Sequence, residues 1–326
     1  MFHIGIVETI HQNAIKIIEN NDNYSFEIIE DIEESNLINK LKKCDAIALR
    51  TAKLTDKIIN SCEKLKIVSR HGVGYDNVDL HSLNKKGIPL TITIHANAIT
   101  VAEHVIAMMF YFNKKLHDFD RSVRESRWDK LRIIDQQIIT INSELFNKNI
   151  LILGFGRIGK ELSKRCKAFG MQVFVYDPYI DNQVIEDYNL KKINTIDEGV
   201  ALADYLSIHI PLSSETKNLI DNKILGKMKK NAFIINTARG GIINENDLNE
   251  ALSDDVIAGA GIDVFSEEPP NADNPLLKNP KVVLTPHTAA LTKECWLRMG
   301  QETITNIMDF FDDNLNEKVI VNRNSI

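Results

Sequence analysis

One of the nine histidines stands where general acid–base chemistry would need it. His287 lies between a short apolar run, Val282–Leu284, and a stretch that resembles the start of a helix. Imidazole exchanges protons near neutral pH, so this position suits a proton donor or acceptor. Upstream, Glu267 and Glu268 precede two prolines, which restrict the loop. Either carboxylate could orient the histidine ring, and spacing alone does not choose between them.

An arginine follows another apolar run. The run Ala232–Ile235 leads through Arg239 into two glycines. A guanidinium at the end of a strand can hold a carboxylate through two parallel hydrogen bonds. The alternative is a surface arginine on a turn. Because the strand and the glycines direct Arg239 toward the expected ligand side of a sheet, we favour a functional role.

Three glycines predict a dinucleotide-binding turn. Gly154, Gly156 and Gly159 follow the apolar run Ile150–Leu153 at G-x-G-x-x-G spacing, and a helical pattern comes next. The first glycine permits a tight turn, the second lets the backbone approach a pyrophosphate, and the third allows close packing of helix and strand. The free N–H groups at the helix start favour the anion.

An acidic residue completes this pattern. Asp177 ends the next predicted strand, Gln172–Tyr176, where its carboxylate can accept hydrogen bonds from both hydroxyls of an adenosine ribose. The same charge repels a 2′-phosphate, so the pattern favours NAD over NADP. Asp263 ends a strand of small residues and would either bind the nicotinamide carboxamide or cap its strand. His209 also ends a strand and could line the cofactor crevice. The alternative interpretation of the three glycines and Asp177 is an ordinary strand-to-helix turn that tolerates glycine, followed by an aspartate on the surface.

Short apolar runs alternate with helical patterns along the whole chain, which predicts parallel, doubly wound sheets in two similar α/β units. Predicted strands besides those above are Phe2–Val7, Phe26–Ile29, Ala46–Leu49, Ile67–Val68, Pro89–Ile92, Tyr205–Ile208 and Val256–Ile262. Long helices are expected at 99–119 and 288–313, with a charged, irregular stretch at 120–147 around Trp128. Thr195 and Glu198 match a capping box at a helix start.

Length and composition bound the class of protein. The 326 residues favour two domains, and a net charge of −6 gives no basic surface for nucleic acid. The four cysteines form no C-x-x-C pair, so buried thiols in a reducing cytoplasm are expected. The N-terminus lacks a signal-peptide pattern, and the longest apolar run, Val105–Phe112, is too short to span a membrane. No metal site is predicted.

On these residues the chain resembles the D-isomer-specific 2-hydroxyacid dehydrogenases, most closely the short, phosphoglycerate-dehydrogenase-like members. The segments that carry the resemblance occur in the family's order over nearly the whole chain: Arg70–Asp79, Thr100–His104, Gly154–Gly159, His209–Leu212, Thr237–Gly240, Asp263–Pro269 and Pro286–His287.

The resemblance implies a flavodoxin-like substrate domain, residues 1–98 plus 289–326, with a Rossmann NAD domain, residues 99–288, inserted into it. The active site would lie in the cleft between them, and homodimers would form through the helix near 99–119 and the following loop. The family pattern selects the glutamate before proline, so the implied catalytic residues are Arg239, Glu268 and His287. The implied cofactor-binding residues are Thr100, Gly154, Gly156, Arg157, Ile158, Gly159, Asp177, His209, Pro211, Thr216, Thr237, Ala238, Asp263 and His287. The implied substrate-binding residues are Arg50, Arg70, Val73, Gly74 and Asn97.

The implied reaction transfers a hydride between NAD(H) and a small D-2-hydroxyacid or its 2-keto acid. In the phosphoglycerate-dehydrogenase-like branch, arginines at the positions of Arg50 and Arg70 contact the substrate phosphate, so 3-phosphohydroxypyruvate becomes a candidate. Lys53 and, from a partner subunit, Lys130 or Arg132 could add charge. The alternative is that both arginines brace the loop by bonding backbone carbonyls.

Other activities of the same fold stay open, namely a hydroxypyruvate or glyoxylate reductase and a non-enzymatic NAD-sensing binding protein. Glu268 stands where formate dehydrogenases of this superfamily carry glutamine, and the D-lactate branch usually has an aromatic pair after the histidine, where Thr288–Leu291 stands here. Both branches are therefore disfavoured. No role is assigned to His71, His95 or residues 133–142.

Overall fold

The apolar runs form two separate parallel sheets. The computed structural model describes residues 1–126 and 142–326, which divide into a first unit of residues 1–97 and 291–326 and a second unit of residues 98–290. Trp128, Lys130, Arg132 and all but the last residue of 133–142 lie outside the described residues.

The first unit contains a five-stranded sheet. Its strands are β1 (Phe2–Val7), β2 (Tyr24–Ile29), β3 (Ala46–Leu49), β4 (Ile67–Arg70) and β5 (Leu90–Ile92). They pair in the order β2-β1-β3-β4-β5, and every pair is parallel. This is the flavodoxin-like strand order, and the order reverses between β1 and β3.

Helices cover both faces of this sheet. They are α1 (Gln12–Glu19), α2 (Glu34–Leu41), α3 (Asp56–Ser61), α4 (Leu80–Lys85) and α12 (Lys293–Phe311). Ile4 and Ile6 of β1 pack in one core with Ile304 and Ile307 of α12, whereas Val7 packs in the other. Strands buried on both faces need apolar residues throughout, which explains their uninterrupted apolar runs.

The second unit contains a seven-stranded parallel sheet. Its strands are β6 (Asn149–Leu153), β7 (Gln172–Tyr176), β8 (Lys191–Lys192), β9 (Tyr205–Ile208), β10 (Phe233–Asn236), β11 (Gly259–Ile262) and β12 (Val282–Leu284). The order is β12-β11-β10-β9-β6-β7-β8, which contains the Rossmann arrangement and reverses between β6 and β9. Two doubly wound α/β units, one Rossmann-type and one flavodoxin-like, were predicted, and this fold class is confirmed.

The helices of the second unit are α5 (Ala98–Lys114), α6 (Leu116–Arg124), α7 (Arg157–Ala168), α8 (Asn182–Asp187), α9 (Ile196–Leu202), α10 (Asn222–Leu225) and α11 (Glu245–Ser253). Thr195 caps α9 as predicted, because its Oγ1 accepts a hydrogen bond from Glu198 N at 3.2 Å. Along the described chain, no helix is long and apolar enough to cross a bilayer.

Several predicted boundaries are wrong. The helix expected over 99–119 is two helices, because Lys115 adopts a left-handed conformation with φ +44°, and α6 occupies part of the stretch expected to be irregular. The last helix begins at Lys293 rather than at 288, and β11 begins at Gly259 rather than at Val256. The strand β8 was missed because two lysines carry no apolar signal.

Candidate active site

The loop after β6 has the shape of a dinucleotide-binding turn. Gly154 has φ +95°, and a Cβ there would lie 2.6 Å from the carbonyl oxygen of His209, so the turn requires glycine. A Cβ on Gly159 would overlap the carbonyl oxygen of Gly154. A Cβ on Gly156 would meet open space, so a phosphate group can approach the N-terminus of α7.

Asp177 lies beside this loop at the end of β7. Its Oδ2 accepts a hydrogen bond from Phe155 N at 2.8 Å, and its Oδ1 accepts one from Tyr179 N at 2.9 Å. These bonds fix the carboxylate, and each of its oxygens can accept a further bond. The arrangement therefore suits the two hydroxyls of a ribose.

The loop after β9 meets the glycine loop where the strand order reverses, which is where parallel sheets bind ligands. His209 N donates to Leu153 O at 2.7 Å, and the His209 ring nitrogen Nε2 lies 2.8 Å from Ser207 Oγ. Burial lowers the pKa of His209 to about 3, so its ring is neutral at physiological pH. Thr216 Oγ1 donates to Pro211 O at 2.7 Å and shapes the rest of the loop.

The remaining residues predicted to bind the cofactor lie in the same unit. Arg157 and Ile158 begin α7, Thr100 is buried in α5, and Thr237 and Ala238 follow β10. The hydroxyl of Thr237 is buried and makes no hydrogen bond with the described part of the chain. The glycine loop, the fixed Asp177 carboxylate and this hydroxyl fit a nicotinamide dinucleotide.

The Arg239 loop is held by its own backbone and by a neighbouring loop. Arg239 Nη1 donates to Ala238 O at 2.7 Å, and Asn236 Nδ2 donates to Arg239 O at 2.8 Å. A Cβ on Gly240 would overlap the carbonyl group of Phe265. The absence of a side chain at Gly240 therefore lets the loops that carry Arg239 and Glu268 lie against each other.

His287 and Glu268 form a hydrogen-bonded pair. His287 Nδ1 lies 2.7 Å from Glu268 Oε2, and Glu268 Oε1 accepts a bond from Phe265 N at 3.0 Å. Glu267 makes no such contact with His287 among the described residues. The carboxylate can hold a proton on Nδ1, which leaves Nε2 to exchange a proton with a ligand.

Asp263 organises the segment that carries His287. Its fully buried carboxylate accepts bonds from Thr285 Oγ1 at 2.5 Å, Thr288 N at 2.8 Å and Ala289 N at 2.9 Å. Its backbone oxygen accepts one from His287 N at 2.8 Å. Of the two roles considered from the sequence, these bonds agree with a structural cap after β11.

A cavity of about 410 Å³ opens beside the His287–Glu268 pair. Its walls are mostly apolar, and Glu268 and His287 are the ionisable residues among those that line it. It is lined by Phe265, Glu268, Pro269, Pro270, Leu277, Leu284, Thr285, Pro286 and His287. No group of three or more His, Cys, Asp or Glu side chains in residues 1–126 and 142–326 is arranged to hold a metal ion.

In the first unit, Arg50 is fixed by an aromatic ring and a carboxylate. Its guanidinium carbon lies 4.6 Å from the ring centroid of Trp296, and its Nη1 lies 3.8 Å from Glu8 Oε1. The Glu8 carboxylate also accepts bonds from Thr51 N, Thr51 Oγ1 and Ala52 N at 2.5, 2.6 and 2.9 Å. Glu8 follows β1 and Arg50 follows β3, so they meet where this sheet reverses its strand order.

Arg70 bonds its own loop, because its Nη1 donates to His71 O. His71 is buried with its ring 4.7 Å from that of Trp296, and burial together with the charge of Arg70 lowers the pKa of His71 to about 4. Val73 and Gly74 are partly exposed in the same loop. Asn97 is also partly exposed and is the last residue of the 1–97 part of the first unit.

Sequence reasoning does not single out Glu8, Thr285 or Trp296. Glu8 directly follows a predicted strand, so the rule that places ligand sites at the carboxyl ends of parallel strands could have found it. Trp296 lies in a helix far along the chain from Arg50, and no local signal links the two residues.

Comparisons with known proteins agree with this architecture. The profile described as D-isomer specific 2-hydroxyacid dehydrogenase, NAD binding domain, matches residues 106–289. The chain is 36% identical over 321 residues to a D-3-phosphoglycerate dehydrogenase of Methanocaldococcus jannaschii, covering 98% of this chain and 59% of that protein. It spans about half to three fifths of the length of the curated relatives that it matches.

Solved structures similar to this chain include two that each cover 98% of it. One is an NAD-dependent formate dehydrogenase from Staphylococcus aureus in complex with NAD, with a TM-score of 0.81, 29% identity and 98% of that chain covered. The other is an acyclic imino acid reductase in complex with NADPH and D-Arg, with a TM-score of 0.85, 28% identity and 99% of that chain covered. Binding of NAD or NADP is therefore common to this fold. The profile covers more than half of the chain, and the chain belongs to the D-isomer-specific 2-hydroxyacid dehydrogenase family.

Proposed function

We propose that the chain is an NAD-dependent oxidoreductase that interconverts a small D-2-hydroxyacid and its 2-keto acid. The observation that carries this proposal is the 2.7 Å contact between His287 and Glu268, in the same unit as Arg239 and a dinucleotide-binding loop. Family membership supports the same reaction class.

The side chains have separate roles in this proposal. Arg239 binds the substrate carboxylate, and Val73 and Gly74 contribute backbone N–H groups to it. A bound nicotinamide would supply a hydride to C2 of the keto acid or accept one from C2 of the hydroxyacid. In reduction, the imidazolium of His287 donates the Nε2 proton to the substrate oxygen, and in oxidation the neutral ring takes it back. Glu268 stabilises the charged ring and keeps a proton on Nδ1.

We propose NAD rather than NADP as the cofactor. The fixed Asp177 carboxylate supports this choice, because it accepts hydrogen bonds from ribose hydroxyls and repels a 2′-phosphate. Thr237, Ala238, Thr216 and Pro211 would complete the cofactor site.

A turnover assay tests the reaction class. We expect oxidation of NADH with at least one of glyoxylate, pyruvate, hydroxypyruvate and 3-phosphohydroxypyruvate. His287→Ala should lower kcat by at least about 10²-fold, the usual contribution of general acid–base catalysis, with little change in NADH affinity. His81→Ala, at an exposed position in α4, is the control. Tight NADH binding without turnover of any keto acid would instead indicate an NAD-sensing binding protein.

We propose 3-phosphohydroxypyruvate as the keto acid, with hydroxypyruvate or glyoxylate as the alternative. Arg50 and Arg70 support this proposal, because they lie at the carboxyl ends of adjacent strands and carry positive charge. Several relatives are named D-3-phosphoglycerate dehydrogenase. The contacts of Arg50 with Glu8 and of Arg70 with His71 O would also be explained by the loop-bracing alternative.

Comparison of phosphorylated and unphosphorylated substrates separates these alternatives. A charge-assisted hydrogen bond contributes about 1.5–3 kcal/mol, so Arg50→Ala should lower kcat/KM for 3-phosphohydroxypyruvate by about 10- to 150-fold. The value for hydroxypyruvate should change little. Arg323→Ala, at an exposed position in the same unit, serves as the matched control. Equal wild-type efficiencies for the two substrates would contradict the phosphate proposal.

We also propose a homodimer in the cytoplasm. Leu116 and Val123 of α6 are 71% and 45% exposed, and a second subunit could cover them. The four cysteines are free and buried, which suits a reducing compartment. Light scattering of the purified chain tests the dimer, and a monomeric mass at micromolar concentration would contradict it.

A further inference from the structure

A chain of hydrogen bonds connects helix α5 with the segment that carries His287. His104 Nε2 lies 3.2 Å from Thr285 Oγ1, and Thr285 Oγ1 lies 2.5 Å from Asp263 Oδ1. The His104 ring is partly exposed, whereas Asp263 is fully buried. His104 has no role in the reaction proposed above.

The direction of each hydrogen bond follows from the chemistry of its partners. The Asp263 carboxylate accepts from the backbone N–H groups of Thr288 and Ala289, which suits its ionised, acceptor-only form. The single hydroxyl proton of Thr285 is then donated to Asp263. Thr285 Oγ1 can only accept from His104, so the proton of the His104 ring must lie on Nε2.

The same network holds His287 in an uncommon backbone conformation. His287 has φ +53°, in the left-handed region, which residues with a side chain adopt rarely. Such conformations persist where the surrounding structure enforces them. Here Asp263 contacts the segment at Thr285, His287, Thr288 and Ala289, and the result is the 2.7 Å approach of His287 Nδ1 to Glu268.

We propose that His104 is a positioning residue for His287, acting through Thr285 and Asp263. By donating its Nε2 proton, His104 fixes the orientation of the Thr285 hydroxyl, which in turn completes the binding of Asp263 to the His287 segment. His104 touches neither substrate nor cofactor in this role. The kinetic consequence rests on the function proposed above, whereas the hydrogen-bond network does not.

Matched variants separate this role from simple core packing. His104→Gln and Thr285→Ser retain a donor or a hydroxyl, whereas His104→Leu and Thr285→Val remove it. Small misplacements of a catalytic group slow reactions strongly. The variants His104→Leu and Thr285→Val should therefore lower kcat by about 10-fold or more, with KM and NADH affinity unchanged. The variants His104→Gln and Thr285→Ser should keep kcat within about 3-fold of wild type. His81→Leu, at an exposed histidine of the first unit, is the control.

A second measurement does not depend on turnover. Nitrogen-15 spectra of histidine side chains report which ring nitrogen carries the proton, and His104 should show a proton on Nε2. The His287 ring signals should move in Thr285→Val and stay near their wild-type positions in Thr285→Ser. Wild-type kcat and unchanged His287 signals in folded His104→Leu and Thr285→Val would overturn the proposal. Shifted signals in a protein without turnover would support the network and contradict only the proposed reaction.

Discussion

Replacement of Glu268 by glutamine tests how the ring of His287 is oriented. In the native chain, the carboxylate accepts two bonds, from Phe265 N at 3.0 Å and from His287 Nδ1 at 2.7 Å. A glutamine has the same shape but only one oxygen, so it cannot accept both bonds at that spacing. Phe265 N–H can only donate, and we expect it to take the oxygen.

The loss of activity expected for Glu268→Gln follows from the competition between Phe265 N–H and the His287 ring for the single glutamine oxygen. With its oxygen toward Phe265, the glutamine presents its NH₂ group to His287 Nδ1, which must then accept, and the ring proton moves to Nε2. The opposite orientation leaves the Phe265 N–H without an acceptor, at a cost of about 1–3 kcal/mol. The tautomer with its proton on Nε2, which cannot take a proton from the hydroxyacid, is thus favoured by about 5- to 150-fold. Oxidation of the hydroxyacid needs a proton-free Nε2, so its kcat should fall by about that factor.

Steady-state oxidation with NAD at one fixed pH measures this effect. Glu267→Gln makes the same chemical change one residue away and should keep wild-type kcat. Nitrogen-15 spectra of His287 should show the proton on Nδ1 in the wild type and on Nε2 in Glu268→Gln. Wild-type kcat in Glu268→Gln, or a proton that stays on Nδ1, would refute the reasoning.

Three further predictions concern the cofactor loop and the first unit. Asp177→Ala should narrow the preference for NADH over NADPH in kcat/KM, and equal use of both by the wild type would contradict the cofactor proposal. Gly156→Ala should fold normally, because its Cβ enters open space, but it should bind NADH more weakly, because that space is where the phosphate group would approach. Gly159→Ala should lower the melting temperature, because its Cβ meets backbone. Burial would raise the pKa of Glu8, but hydrogen bonds from Thr51 and the next residue, with the Arg50 charge, lower it overall. Its stabilising contribution is therefore present above the unfolded-state pKa and lost as the pH falls through the lowered folded-state pKa. Glu8→Gln should accordingly lower the free energy of unfolding in urea at pH 7, and this difference should disappear on acidification. A pH-independent difference would contradict this account.

Much of the fold is legible in the sequence because its signals are local. The strands β1, β3 and β7 have the predicted bounds, since a parallel strand buried on both faces needs an uninterrupted apolar run. The glycine spacing after β6 predicts the turn seen at Gly154, because the positive φ and the close approach of His209 exclude a side chain there.

Other features depend on partners that are distant along the chain. The strand β8 consists of two lysines and exists because it pairs with β7. Lys115 breaks the long predicted helix although its type gives no warning, since lysine is a good helix former.

The site shows the same division. Residue types and strand ends alone predicted Arg239 and His287 as chemically active positions and left Glu267 and Glu268 as alternatives. The family resemblance selected Glu268, and the tertiary structure shows that it contacts His287. Only the tertiary structure decided that Asp263 binds the Thr285–Ala289 segment and that Glu8 and Trp296 enclose Arg50. Hydrogen bonds and ring contacts have short range, so their partners are selected by how the strands and loops are arranged in space and leave no periodic pattern in the sequence.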